Sequence, residues 1–217
     1  MEYKICPNCT KKLDGLMTTR RIIRQTTTDF INSYHSTKSE AYCSNCAPGL
    51  ITQYKEDNNN KIETLNNSII DEISIIPIIT LHNPNKWDYD ILEMISAQSI
   101  SGTGFLTELT SSWSDLTGGQ SSSMASKISN GEDICKAKLR YQCVLLGGNA
   151  IIGTDIDYAE VGGAKGMLMV CMAGTAVKVE SNKLALSKLD KFNAIEQNAK
   201  ELAKLKSVKY PDTDYAL

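Results

Sequence analysis

Two Cys-x-x-Cys pairs, Cys6-Pro7-Asn8-Cys9 and Cys43-Ser44-Asn45-Cys46, constrain this chain more than any other feature. Each pair makes one tight knuckle that presents two sulfurs, and two knuckles supply the four donors of a tetrahedral zinc shell. A closed shell of this kind has no open coordination position, so it argues for a structural ion and against metal catalysis. The alternative is two unrelated thiol pairs or redox motifs. One zinc ion on Cys6, Cys9, Cys43 and Cys46 explains both matched knuckles at once.

The 33 residues between the knuckles (10–42) include a Thr-rich run, 18–42, whose composition suits a β-hairpin. After the second knuckle, Ala47 with Pro48 in an early position reads as a helix start. A knuckle, a hairpin, a knuckle and a helix describe a small β-rich module over residues 1–53, similar to a zinc ribbon or treble clef. His35, flanked by Ser33-Tyr34 and Ser36, reads as the hairpin tip and not as a ligand. Arg20, Arg21 and Arg24 form a small basic cluster that could touch phosphate. The chain as a whole has net charge −2 and pI near 5.8, which argues against nucleic acid as a partner.

Of the seven cysteines, Cys135, Cys143 and Cys171 remain after the knuckles and lie in separate apolar contexts. Unpaired thiols beside knuckle pairs point to a reducing compartment. The N-terminal residues show no apolar signal region. The most apolar stretch, 69–81, is interrupted by Asp71, Glu72 and Pro77 and falls short of the ~20 residues of a membrane span. A cytoplasmic protein without a membrane segment is the expectation.

The remaining residues read as an α+β domain over 73–180, after a polar stretch, 54–72, that suits a linker or an exposed helix. Residues 73–80 and 89–101 are expected strands. Gly102-Thr103-Gly104 could cradle an anion or simply turn, and 105–116 reads as helical up to Gly118-Gly119. A longer helix is expected over 121–146, with an interruption allowed at Asn130-Gly131 and a left-handed cap at Gly147-Gly148. It carries two apolar stripes: Ile134, Ala137, Tyr141, Val144 and Leu145, and beside them Cys135, Leu139, Cys143 and Leu146. Two stripes require cover on two sides, and a subunit interface is the inferred source of the second.

Two strands, 150–158 and 167–179, follow as an antiparallel hairpin around Gly162-Gly163. In the first, Ile152, Thr154, Ile156 and Tyr158 should face one way and Asp155 and Asp157 the other. An amphipathic helix over 181–206 carries Leu189, Phe192, Ile195, Ala199, Leu202 and Leu205, and 207–217 is a tail.

The block Gly147-Gly-Asn-Ala-Ile-Ile-Gly-Thr-Asp-Ile-Asp-Tyr158, followed by Met167-Leu-Met-Val170 and Gly174-Thr-Ala-Val177, closely resembles the YbjQ family, which carries a heavy-metal-binding label. Leu116-Thr-Gly-Gly-Gln-Ser121 resembles that family's Gly-Gly-Arg-Ser turn, with Gln120 in the Arg position. The resemblance covers roughly 74–180. It implies a dodecin-like subunit, a helix packed on an antiparallel sheet, that assembles into homo-oligomeric rings, typically pentamers. The N-terminal module lies outside it.

Beyond the knuckles, Met167, Met169 and Cys171 alternate on one strand and could offer soft donors to Cu(I), or simply fill a core. Asp155 and Asp157, with Glu160 beyond, could offer oxygen ligands or form a solvated strand face. No nucleophile–base pair, phosphate loop or helical His-Glu zinc pattern is present. The expected function is therefore a ring-forming scaffold with one structural zinc per subunit and a module open to a protein partner. A labile soft-metal protein is the second reading, and an enzyme or ligand binder with a pocket between subunits the third.

Overall fold

The computed structural model describes residues 3–15, 18–101, 124–161, 167–180 and 189–211. The chain divides into two units, Met1–Glu63 with Leu205–Leu217, and Thr64–Lys204. The expected turns at 102–104, 116–121 and 162–163, the helix at 105–116, the start of the C-terminal helix at 181–188 and the tail end at 212–217 lie outside the described residues.

In the first unit, short antiparallel contacts stack in series. Ile5 bridges Lys12, β1 (Asp14–Gly15) pairs with β2 (Thr18–Thr19), and Ile22 bridges Cys43. The hairpin therefore sits between 12 and 20, closed by Arg20 N–H to the Leu13 carbonyl at 2.7 Å. The hairpin expected over 18–42 does not form, because α1 (Gln25–Tyr34) occupies its centre. Strand propensity in a Thr-rich run is a weak preference that burial overrides. Thr27, Thr28 and Ile31 are buried at helical spacing, and Ile31 joins Ile23, Tyr42, Ala47 and Ile51 in one core cluster. His35 is the C-terminal cap of α1 and gives its N–H to the Ile31 carbonyl.

The second knuckle opens directly into α2 (Ala47–Glu72). The polar stretch 54–72, expected as a linker or an exposed helix, is thus helix, with its polar residues on the solvated faces.

The second unit is built on a three-stranded antiparallel sheet of order β3-β5-β4, with β3 (Tyr89–Ser101), β4 (Ala150–Val161) and β5 (Met167–Val179). Residues 73–80 are not one strand. Ile73–Ile75 is a 3-10 turn, and the chain after it runs parallel to β4 through Ile79 N–H to the Ile151 carbonyl and Ile151 N–H to the Pro77 carbonyl. Pro77 has no N–H to give, which keeps this edge to an isolated bridge.

On one sheet face lies α3 (Met124–Leu145), tied down by Lys138 and Gln142, which donate to the Gln98 and Ser96 carbonyls at 2.8 Å. It ends in a Schellman motif. Gly147 sits at φ +84°, its N–H reaches the Val144 carbonyl, and the Gly148 N–H reaches the Cys143 carbonyl. Both apolar stripes are buried or half-buried as far as Val144, and the chain itself meets both, with Cys135 and Cys143 of the second stripe reaching the Val170 and Ala150 carbonyls of the sheet at 3.4 and 3.3 Å. Tyr141 donates to Asn66 of α2 at 2.6 Å, Arg140 to the Ile76 carbonyl at 2.9 Å, and Ile69, Ile70, Ile73 and Ile76 are buried. The two stripes of α3 therefore give no reason for a subunit interface. The C-terminal helix α4 (Leu189–Lys206) buries Phe192, Ile195, Ala199 and Leu202.

No break occurs at Asn130-Gly131, where the glycine serves packing instead. A Cβ at Gly131 would lie 2.8 Å from the Val170 Cγ2 on β5. Gly131→Ala gains about 1 kcal/mol of helix propensity against an overpacking cost of about 1–3 kcal/mol. A lower urea midpoint is expected, whereas Ser129→Ala on the exposed side of the same turn should raise it slightly.

Candidate metal centre

The two knuckles have the same local construction. In each, the first cysteine's carbonyl accepts the N–H four residues on, Cys6 from Thr10 at 2.9 Å and Cys43 from Ala47 at 3.0 Å. The first sulfur of each also accepts backbone N–H groups, from Asn8 and Cys9 at Cys6 and from Asn45 and Cys46 at Cys43. Thr10 adopts φ +57° where the chain leaves the first knuckle. After the second, Ala47 starts α2, so the knuckle and the helix share one turn of backbone.

The Ile22–Cys43 bridge brings the knuckles together, with Cys6, Leu13 and Cys43 buried in one cluster. The four Sγ atoms lie within 4.8 Å of one another. Cys6 to Cys46 is 3.8 Å, Cys9 to Cys43 3.7 Å and Cys43 to Cys46 3.6 Å. A tetrahedron with metal–sulfur bonds of about 2.3 Å has edges of about 3.8 Å. These separations are far beyond the ~2 Å of a disulfide, and all four cysteines are free. The donor set fits one soft or borderline ion. His35 lies outside this converging group, and its Nδ1 accepts the Thr37 N–H at 3.0 Å.

Without an ion the thiols Cys43, Cys6 and Cys46 ionise unequally. Burial opposes ionisation of Cys43, but the N–H groups of Asn45 and Cys46 and the neighbouring thiols bring it down to about 7. Burial raises Cys6 and pushes Cys46 up to about 12. Of these three, Cys43 takes the first negative charge, and thiolates at Cys6 and Cys46 need a cation among them.

The remaining candidates lie in the second unit. Cys171 stands directly opposite Asp157 on β4 and Gln98 on β3, and Met169 opposite Ala159 and Ile100. The methionine–cysteine set and the aspartate pair therefore share one face, the one turned away from α3. Glu160 pairs with Leu168 and belongs to the other face. A bulge at Gly153 (φ +59°) and Thr154 shifts the register between Ile152 and Asp155. Ile152 consequently joins the aspartate side, and Ile156 and Tyr158 turn to the helix side, where Tyr158 donates to Glu132 at 2.8 Å. The simple alternation expected for this strand is broken by that extra residue. Asp155 and Asp157 are exposed, and Asp157 accepts its neighbour's N–H. Among the described residues, only the four cysteines form a converging group of three or more His, Cys, Asp or Glu.

A cavity of about 410 Å³ lies between the α3 cap, the end of β5 and α4. Three of its charges pair, with Glu196 accepting from Lys178 at 2.6 Å and from Lys200 at 2.8 Å. No sequence signal points to it, because its lining residues are far apart in the chain. No described helix is long and apolar enough to cross a membrane.

The fold and the site define an α+β protein that carries both a four-cysteine metal-type cluster and a helix-on-antiparallel-sheet domain. The model of the YbjQ family, described as "Putative heavy-metal-binding", matches residues 76–180. A UPF0145 protein of Bacillus thuringiensis subsp. konkukian is 34% identical over 90 residues, covering 42% of this chain and 85% of that protein. The chain belongs to the YbjQ family. A crystal structure of a DUF74-family protein with unknown function from Pediococcus pentosaceus is similar at 23% identity and a TM-score of 0.33, covering 48% of this chain and 96% of that one.

Because Cys6 and Cys46 hold their protons near neutrality, loading the cluster expels those protons. Metal affinity should therefore rise with pH and fall as the solution is acidified. Titrating metal-free protein with Co²⁺ in weak buffer should release protons in step with the thiolate charge-transfer absorption. Absorption without proton release would contradict the raised thiols.

Proposed function

We propose that this chain is a cytoplasmic scaffold protein that assembles into a ring of identical subunits, most simply a pentamer. Each subunit carries one structural zinc on Cys6, Cys9, Cys43 and Cys46. The observation that carries the assembly is the sheet face opposite α3. On β3, Ile91 and Met94 are 71% and 69% exposed and Ile100 is 41% exposed, beside half-buried Met169 and Cys171. Apolar side chains that share a face at this exposure favour a partner, and the family resemblance favours a second copy. The zinc module then serves as a repeated recognition element for a protein partner. A ring raises the avidity of weak contacts through effective concentration.

The assembly is tested by Met94→Asp. In the separate subunit the side chain is exposed, so the change should cost well under about 1 kcal/mol of fold stability. Light scattering coupled to gel filtration should give a multiple of the subunit mass for the native chain and a folded monomer for the variant. A native monomer would sink the ring.

A second reading is favoured by the row that places Cys171 against Asp157 with Met169 on the same face. Such a mixed sulfur–oxygen set suits a labile soft metal. Elemental analysis separates the two readings. The structural reading gives one zinc per chain, abolished by Cys6→Ser together with the folding of the module, since such sites contribute roughly 10–16 kcal/mol of apparent binding energy. Metal in excess of one per chain, lost selectively in Met169→Ala, would establish the second site.

A further inference from the structure

The chain has few aromatic residues, 14 of 217, yet four of them meet in one pocket of the first unit. Phe30 and Tyr34 stand one turn apart on α1, with ring centroids 5.1 Å apart. Tyr210 meets Phe30 edge-on at 5.7 Å, and Tyr54 of α2 meets Tyr34 at 5.7 Å. The enclosed space is about 140 Å³. Tyr54, Asp57, Asn58 and Lys61 all line it, and their 3–4 spacing puts them on one face of α2. Asn58 fixes the closing segment by donating to the Leu205 carbonyl at 3.2 Å.

Three observations say what such a pocket would accept. The Lys55 ammonium already rests over the Tyr210 ring, 5.3 Å from its centroid, so a ring of this cluster offers its π-face to a cation. The Tyr54 hydroxyl is buried and has no hydrogen-bond partner among the described residues. Asp57 carries the one carboxylate in the lining and takes part in none of the ion pairs found among the described residues. Lys61 brings one positive charge to the same wall, which a bulky cation held mainly by the rings tolerates better than a compact one held by charge.

We propose that Phe30, Tyr34, Tyr54 and Tyr210 form an aromatic cage for a quaternary ammonium group, with Asp57 as its counter-charge. The volume suits a trimethylammonium head. Ring faces attract such a weakly hydrated cation through their quadrupoles, while a strongly hydrated ion gains less by leaving water. Phe30, Tyr54 and Tyr210 also pack against the module core, so the core sets the cage walls in place before any ligand arrives. Tyr34 is 49% exposed and stands outside that core cluster, which makes it the wall that can be removed without disturbing the rest.

The test is calorimetric or NMR titration of the full metal-loaded chain with choline, with Nα-acetyl-trimethyl-lysine amide, and with 3,3-dimethyl-1-butanol, the neutral shape-match of choline. At least one ammonium should bind and the alcohol should not, and Tyr34→Leu should weaken binding about ten-fold or more while metal content and circular dichroism stay unchanged. The tighter of the two ammonium probes marks the source as a free small molecule or a methylated protein side chain. Equal binding of the alcohol, no saturation by either ammonium at roughly 50 mM, or unchanged affinity in Tyr34→Leu would each overturn the cage.

Discussion

Four sulfurs within 4.8 Å of one another, three of the pairs at 3.6 to 3.8 Å, impose a condition on everything around them. They are too far apart to bond in pairs and too close to carry several negative charges without a cation. The unit that contains them is small, Met1–Glu63 with Leu205–Leu217, near the size below which a hydrophobic core alone rarely suffices. Its buried clusters are correspondingly modest, Ile23, Ile31, Tyr42, Ala47 and Ile51 in one and Cys6, Leu13 and Cys43 in the other. The Ile22–Cys43 bridge, the start of α2 and the edge of that second cluster all converge on the same few residues. A cross-link at this point fixes the knuckles, the short hairpin and the first turn of α2 together.

In the second unit, backbone irregularities decide which chemistry each face presents. The Gly153–Thr154 bulge is one residue long, yet it puts Ile156 and Tyr158 on the helix side and Asp155 and Asp157 opposite. A Cβ at Gly174, across from the bulge, would lie 2.9 Å from both the Ile151 Cγ2 and the Thr154 Oγ1, so the strands close tightly only because that position lacks a side chain. A regular ladder would have kept Ile152 in phase with Ile156, and one face would have been more nearly apolar throughout. The bulge instead produces a mixed face, with methionines, a cysteine and aspartates in neighbouring rows.

Much of this was legible in the residues. The knuckles, the start of α2, the Gly147-Gly148 cap, β3 over 89–101 and the β4–β5 hairpin all follow from short-range chemistry, in which a few residues carry the whole signal. The misreadings share a different cause. At 18–42 the Thr-rich composition suggested a β-hairpin, but burial of Thr28, and of Ile31 with Tyr42 and Ile51, decided for helix, and that burial is a tertiary fact. The two stripes of α3 suggested a neighbour because residues that meet the helix from within the chain, Asn66 at Tyr141 and Ile76 at Arg140, lie in stretches read as a linker or exposed helix and as a strand. The aromatic pocket was missed for the same reason. Tyr54, Asp57, Asn58 and Lys61 have the spacing of a helix face, and Phe30 and Tyr34 have it too, but neither set of residues signals its partner element.

The family resemblance begins at residue 76 and the last cysteine of the cluster is Cys46, so the two features belong to separate parts of the chain. A heavy-metal label attached to residues 76–180 therefore draws no support from the four thiols, and the thiols need none from the label. Their geometry fits an ion on its own terms, through sulfur separations that match a tetrahedral edge. What the matched domain itself presents is different in kind: an exposed apolar sheet face, with Cys171 and Asp157 as neighbours across two strands and no converging set of ligands among the described residues. Such a face has more to gain from being covered than from holding an ion, because each buried apolar side chain contributes about 1.5–3 kcal/mol, whereas two or three half-exposed donors hold an ion weakly. On that asymmetry the metal ion is proposed for the module and the assembly for the sheet.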